Sequence, residues 1–153
     1  MAQVENVLLA NHAESLNGLL YVNGGGWTHH WRGQPGPGGY APSQLAVVAT
    51  FLAGQDEDGR NIPFVVQILA EGDQETLRAD GAFVVNPTPG PGPRRSSFAA
   101  NVNMVFPHGG RYRLVVDIPG QSRREVEFWV HDQAPAPPEP PQEEGPTHTP
   151  GYM

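Results

Sequence analysis

The chain contains no cysteine and no lysine. Without cysteine it can form neither a disulfide nor a thiolate metal site. That fits a reducing compartment, and the expected location is the cytoplasm or a virion assembled there. All nine basic residues are arginine, and the formal net charge is −7. Nonspecific nucleic-acid binding depends on counterion release at a basic surface, so no nucleic-acid partner is expected. No apolar run reaches the roughly 18 residues of a membrane span, and Val7–Ala10 is too short for a signal-peptide core. No membrane partner is expected either. Convincing helical periodicity is also missing: Glu71–Ala79 is the best candidate, and it reads equally well as a turn followed by an exposed edge.

Glycine and proline are abundant, at 19 and 17 residues. Much of the excess lies in Gly33–Pro42, Asn86–Pro93 and Ala134–Met153. This divides the chain into a domain over 1–133 with two long loops and an acidic tail over 134–153. The tail holds seven prolines and three glutamates. It cannot bury enough apolar surface to order itself, and is expected to be extended and partly polyproline II.

What is present is a period of two. Phe98, Ala100, Val102, Met104 and Phe106 alternate with more polar residues. So do Tyr112, Leu114, Val116 and Ile118, and then Val126, Phe128 and Val130. Successive side chains of a strand point to opposite faces, so these are half-buried antiparallel strands. Register follows from parity, because inward residues must oppose inward residues. A hairpin closed by Pro119-Gly120-Gln121 places Asp117 opposite Arg123, Arg113 opposite Glu127 and Arg111 opposite Trp129. The first two are favourable charge pairs, and the third is within cation–π reach. The alternative register opposes Asp117 to Glu125, two like charges. Exposed pairs contribute about 0.2–1 kcal/mol each, enough to choose a register but not to hold a fold.

Upstream, Val4–Ala10 reads as a strand and Asn11–Gly18 as a polar turn region ending in Asn17-Gly18. Leu19–Asn23 reads as a strand that resumes at Trp27–Trp31 after three glycines. Leu45–Leu52 is apolar on both faces and therefore central. Ile62–Ala70 points Phe64, Val66 and Ile68 inward and leaves Val65 and Leu69 on the other face, in need of cover. Ala82–Val85 is a short strand. The expected fold is an all-β, antiparallel sandwich of seven or eight strands.

Gly110-Arg111-Tyr112-Arg113-Leu114 resembles the start of strand F in immunoglobulin-like and fibronectin-like domains. The resemblance implies that Tyr112 is a corner tyrosine whose hydroxyl bonds back to upstream backbone. Leu114 stands where an immunoglobulin cysteine would. More broadly, Val7–Ala10, Gly18–Trp27, Phe64–Ile68 and Gly110–Tyr112 resemble a family of small, uncharacterised, mainly actinobacterial β-sandwich proteins. That resemblance implies a fold and no established activity.

No catalytic set emerges. There is no Gly-x-Ser-x-Gly elbow, and the scattered acids give no paired carboxylates. Gly24-Gly25-Gly26 lacks the helix and Lys-Ser/Thr that a phosphate cradle requires. Asp56-Glu57-Asp58-Gly59 opens like a calcium loop, but Arg60 and Gln67 break the pattern, leaving an acidic turn. His29 and His30 are strand neighbours facing opposite sides, so they would not share an ion. No cofactor or metal is expected. Arg94-Arg95-Ser96-Ser97 has the look of a basic kinase site and reads more simply as solvated loop charges.

These features point to a noncatalytic protein-interaction or accessory module of a bacterial assembly or regulatory complex, with a protein partner or homo-oligomer. Its candidate contacts are Trp129, Arg111, Val65, Leu69 and Tyr40, with Tyr152 and Met153 as a terminal docking peptide. The tail's P-x-x-P spacings fit an aromatic groove, though the usual flanking basic residue is missing. Two alternatives are a structural or decoration subunit of a phage-like particle, and a small-ligand or metal-binding sandwich using His29, His30 and the aromatic loop.

Overall fold

The structure is a computed structural model that describes residues 1–133 and Pro138. The tail, including Tyr152 and Met153, otherwise lies outside the described residues. Ten strands form among the described residues: β1 (Gln3–Ala10), β2 (His12–Leu16), β3 (Leu19–Asn23), β4 (His29–Arg32), β5 (Ser43–Ala53), β6 (Asn61–Ala70), β7 (Gln74–Val84), β8 (Arg94–Met104), β9 (Gly110–Ile118) and β10 (Ser122–Asp132). They build a three-stranded sheet β1-β5-β8, a five-stranded sheet β4-β10-β9-β6-β7 and a two-stranded hairpin β2-β3. No described helix is long and apolar enough to cross a membrane.

The count of ten corrects the expected seven or eight, and the parallel pairing of β4 with β10 corrects the expectation of a wholly antiparallel sandwich. His12–Leu16 is a strand rather than a polar turn region, and the strand expected to resume after the glycines belongs to a different sheet. Asn17 and Gly18 both take positive φ (52° and 75°), the conformation a two-residue type I′ hairpin requires. At the glycine run, a side chain at Gly24 would collide with Asn11, and the Gly26 N–H donates to the Leu9 carbonyl at 2.7 Å. The chain thus bends there to leave the hairpin and reach β4. Glu71–Ala79 is a short 3-10 turn, Glu71–Asp73, followed by the edge strand β7.

The two larger sheets face one another across a common core. Leu45, Val47, Ala49 and Phe51 of β5 meet Phe64, Val66 and Ile68 of β6 and Tyr112, Leu114, Val116 and Ile118 of β9. Each buried valine, leucine, isoleucine or phenylalanine among them contributes about 1.5–3 kcal/mol. β5 is central and apolar on both faces, as its sequence demands. Its second face, Ala46 and Val48, lies under the β2-β3 hairpin with Ala10 and Ala13. Asn101 pins the hairpin there: its Oδ1 accepts from the Ala13 N–H at 3.1 Å, and its Nδ2 donates to the Ala13 carbonyl at 2.8 Å.

The β9-β10 register is the expected one, with Asp117 opposite Arg123, Arg113 opposite Glu127 and Arg111 opposite Trp129. The side-chain pairing differs. Arg111 reaches diagonally to Glu127 (3.4 Å) and Arg113 to Glu125 (3.2 Å). Parity fixes which Cα atoms face each other, while a long arginine selects its carboxylate by rotamer.

Tyr112 is fully buried, and its hydroxyl donates to the His108 carbonyl at 2.6 Å. Burial pushes this hydroxyl above its ordinary pKa, so it remains an O–H donor. Tyr112→Phe should cost about 1–3 kcal/mol, because the His108 carbonyl loses its partner. A chemical-denaturation midpoint would measure the loss.

Candidate interaction surface

β4 is four residues long and pairs in parallel with β10, setting His29 beside Trp129, His30 beside Val130, Trp31 beside His131 and Arg32 beside Asp132. Alternation then sorts the side chains. His29, Trp31, Trp129 and His131 lie on the outer face, whereas His30 and Val130 turn inward. His29 and His30 do point to opposite sides.

The outer four rings form a two-by-two tile. His29 lies 5.8 Å from Trp129 at 21°, and His131 lies 5.1 Å from Trp31 at 32°. Across the diagonal, His29 Nδ1 and His131 Nε2 are 2.8 Å apart in a hydrogen bond. Their ring centres are 5.1 Å apart at 14°. That separation is the N–N distance plus roughly one ring radius at each end, so these imidazoles meet edge to edge rather than face to face. One nitrogen donates and the other accepts, which aims the two lone-pair positions at each other instead of at a shared ion. Among the described residues, no group of three or more His, Cys, Asp or Glu side chains is placed to hold a metal.

The two indoles remain open. Trp31 is 60% exposed and Trp129 37%. Beside them is a shallow depression of about 570 Å³ along Gly24–Gly26, Trp27, His30 and Trp31. A larger one, about 670 Å³, lies at the other end of β5 near Met1 and Pro93, away from any aromatic cluster. Beneath the tile, Trp27, His30, Phe106 and Phe128 form a second aromatic layer, with ring centres 5.5–5.9 Å apart. His30 Nε2 bonds the Ser43 hydroxyl at 2.9 Å. Burial lowers the His30 pKa, so this ring packs neutral, and acidification through its normal titration range opposes folding.

The expected candidates are placed differently from one another. Trp129 is on the tile. Arg111 is exposed beside it and bonded to Glu127. Tyr40 does not reach Trp129: its ring sits 3.7 Å from the Arg32 guanidinium carbon. Arg32 is buried and bonds Asp132 (2.5 Å) and the Phe106 carbonyl (2.9 Å). This is the observed cation–π contact, in place of the expected Arg111–Trp129 pair. Val65 is half-buried opposite Asp117. Leu69 is buried, so the cover it needs comes from within the chain and it is no free contact; Arg113, opposite it in register, pairs with Asp73 and Glu125. The Arg94–Ser97 segment is strand β8 rather than a solvated loop, with Arg94 buried and Arg95 paired to Glu5 at 2.6 Å.

The pairing of His29 and Trp31 with Trp129 and His131 escaped sequence reasoning because it joins residues about a hundred positions apart. The signal was present. His29-His30-Trp31 and Trp129-Val130-His131 are reversed His-x-Trp patterns, and parallel alignment puts each His beside a Trp.

A family described only as one of unknown function (DUF6941) matches residues 5–131. No curated protein and no solved structure matches.

Proposed function

For this chain, which belongs to the family of unknown function DUF6941, we propose a noncatalytic protein-interaction module of a bacterial assembly or regulatory complex. The observation that carries the reading is the tile: two exposed tryptophans, fixed by a histidine pair on a regular sheet. Tryptophan and arginine are enriched at binding hot spots, and tryptophan buries a large area with only two torsions to freeze. Arg111 stands next to Trp129, so both kinds of anchor occur together.

The fold reading that accompanies this is immunoglobulin-like. Three things support it: the division into β1-β5-β8 and β4-β10-β9-β6-β7, the parallel β4-β10 edge, and the Tyr112 corner. The inserted β2-β3 hairpin and the absence of cysteine are departures.

Trp31→Ala with Trp129→Ala should leave the melting temperature nearly unchanged, since both rings lie outside the core. Binding to the natural partner should fall by at least about 30-fold, the effect of losing one hot-spot residue. Affinity capture of wild type and double variant, with mass spectrometry, makes the comparison. Equal recovery of every partner by both proteins, or a lone monomer in capture, crosslinking and size exclusion alike, would overturn the proposal.

A further inference from the structure

We infer that the tile receives a polyproline II segment, and that its occupant is residues 135–141 of a second copy of this chain. The inference rests on the interaction reading and names its ligand. Trp129 and Trp31 occupy diagonal positions on adjacent strands. A strand rise of about 3.3 Å and a strand spacing of about 4.8 Å put their Cα atoms about 8 Å apart. In polyproline II, residues three apart are about 9 Å apart. The sequence Ala134-Pro-Ala-Pro-Pro-Glu-Pro-Pro141 offers three overlapping pairs at that interval, Pro135/Pro138, Pro137/Pro140 and Pro138/Pro141. Two prolines can therefore rest on the two indoles at once. Proline rings on tryptophan faces bury apolar area with little conformational entropy to lose. Glu139 falls between the prolines, and Arg111 on the rim of the tile supplies the cation for it.

The docking is between copies because of how the chain leaves the sheet. β10 runs from Trp129 past His131, and the Gln133 N–H continues the ladder by donating to the Arg32 carbonyl at 3.0 Å. The Gln133 carbonyl accepts from the Gln34 side chain. Of the eight residues from 134 to 141, five precede a proline, and that position disfavours the αR conformation a reversal would use. A stretch of this sequence therefore disfavours the reversal that would return it to the tile it follows. A contact between unlike surfaces of two copies is heterologous and can propagate head to tail.

Sedimentation velocity on the full chain, across a concentration series, tests this with two variants. One carries Pro138→Ala and Pro140→Ala, which together break all three proline pairs; the other carries Trp31→Ala and Trp129→Ala. Wild type should self-associate with concentration, and each variant alone should associate at least about tenfold more weakly. Mixing them should restore a single dimer step, since one supplies an intact tile and the other an intact segment. A synthetic peptide of residues 134–141 should shift the indole N–H signals of Trp31 and Trp129 and spare that of Trp27. Self-association by the proline variant equal to wild type would overturn the inference, as would a mixture that stays monomeric. A wild type that is monomeric throughout, with indole signals unmoved by the peptide, would also overturn it. That last result leaves the interaction module standing if its tile still contacts another protein, and removes both if it contacts none.

Discussion

Arg94→Ala is expected to lower the melting temperature by about 10 °C, the scale of leaving several loop carbonyls and a half-buried carboxylate without their shared donor. Arg94 is 6% exposed, and its guanidinium grips both oxygens of Asp58, at 2.8 and 3.1 Å. It also donates to the carbonyls of Thr88 (2.8 Å), Gly90 (3.2 Å) and Gly92 (2.9 Å). These three carbonyls precede Pro89, Pro91 and Pro93. A segment with proline at every second position has few N–H groups, so it cannot satisfy its own carbonyls. One planar guanidinium does so instead. Arg94→Lys should therefore recover little, because an ammonium lacks the fork that reaches carboxylate and loop together.

The same pair sets a pH dependence. The Arg94 hydrogen bond holds the Asp58 carboxyl below its usual range. A lowered carboxylate pKa contributes stability that is present above the unfolded value, about 3.9 for aspartate, and is lost as pH falls through the folded value. Glu5 and Asp132, lowered by Arg95 and Arg32, act in the same direction. Thermal melts from neutral pH downward should show wild type losing stability in that acid range, and Arg94→Ala losing less.

Phe128→Ala is expected to cost about 3–5 kcal/mol by leaving a cavity that the sheet cannot close. Phe128 is fully buried among Trp27 (5.8 Å, 85°), Phe106 (5.9 Å, 70°) and Tyr112 (5.6 Å, 22°). It also precedes Trp129 on β10, so its loss loosens the strand that carries half of the tile. Both the denaturation midpoint and partner binding should fall. The contrast with the Trp31 and Trp129 double variant, which should lose binding and keep stability, separates support from contact.

Legibility in the sequence followed distance along the chain. The β9-β10 hairpin could be read to the residue because one Pro-Gly turn and one parity rule determine it. Tyr112 could be read because Gly110-Arg111-Tyr112 resembles a strand-F entry, which implies an acceptor just upstream, here His108. The β4-β10 pair could not, since a four-residue strand carries too little pattern to name a partner at the far end of the chain. β2 was hidden by its polar residues, which a hairpin lying on a sheet leaves in water on one side. Leu69 was assigned to the correct face and to a need for cover, but alternation cannot say that the cover comes from within the chain. For the site, the sequence offered Trp129 as a candidate contact, while its assembly with His29, Trp31 and His131 needed the fold.

The central claim is that the tile, rather than the other exposed apolar surface, contacts the partner. The β2-β3 hairpin offers that alternative, with Leu16 53%, Leu19 60% and Tyr21 55% exposed. A photoreactive phenylalanine analogue placed singly at position 31, 129 or 19, with crosslinking in the native cell, compares the two surfaces directly. The account predicts partner adducts from positions 31 and 129 and none from 19. Adducts from position 19 with none from the tile would contradict it.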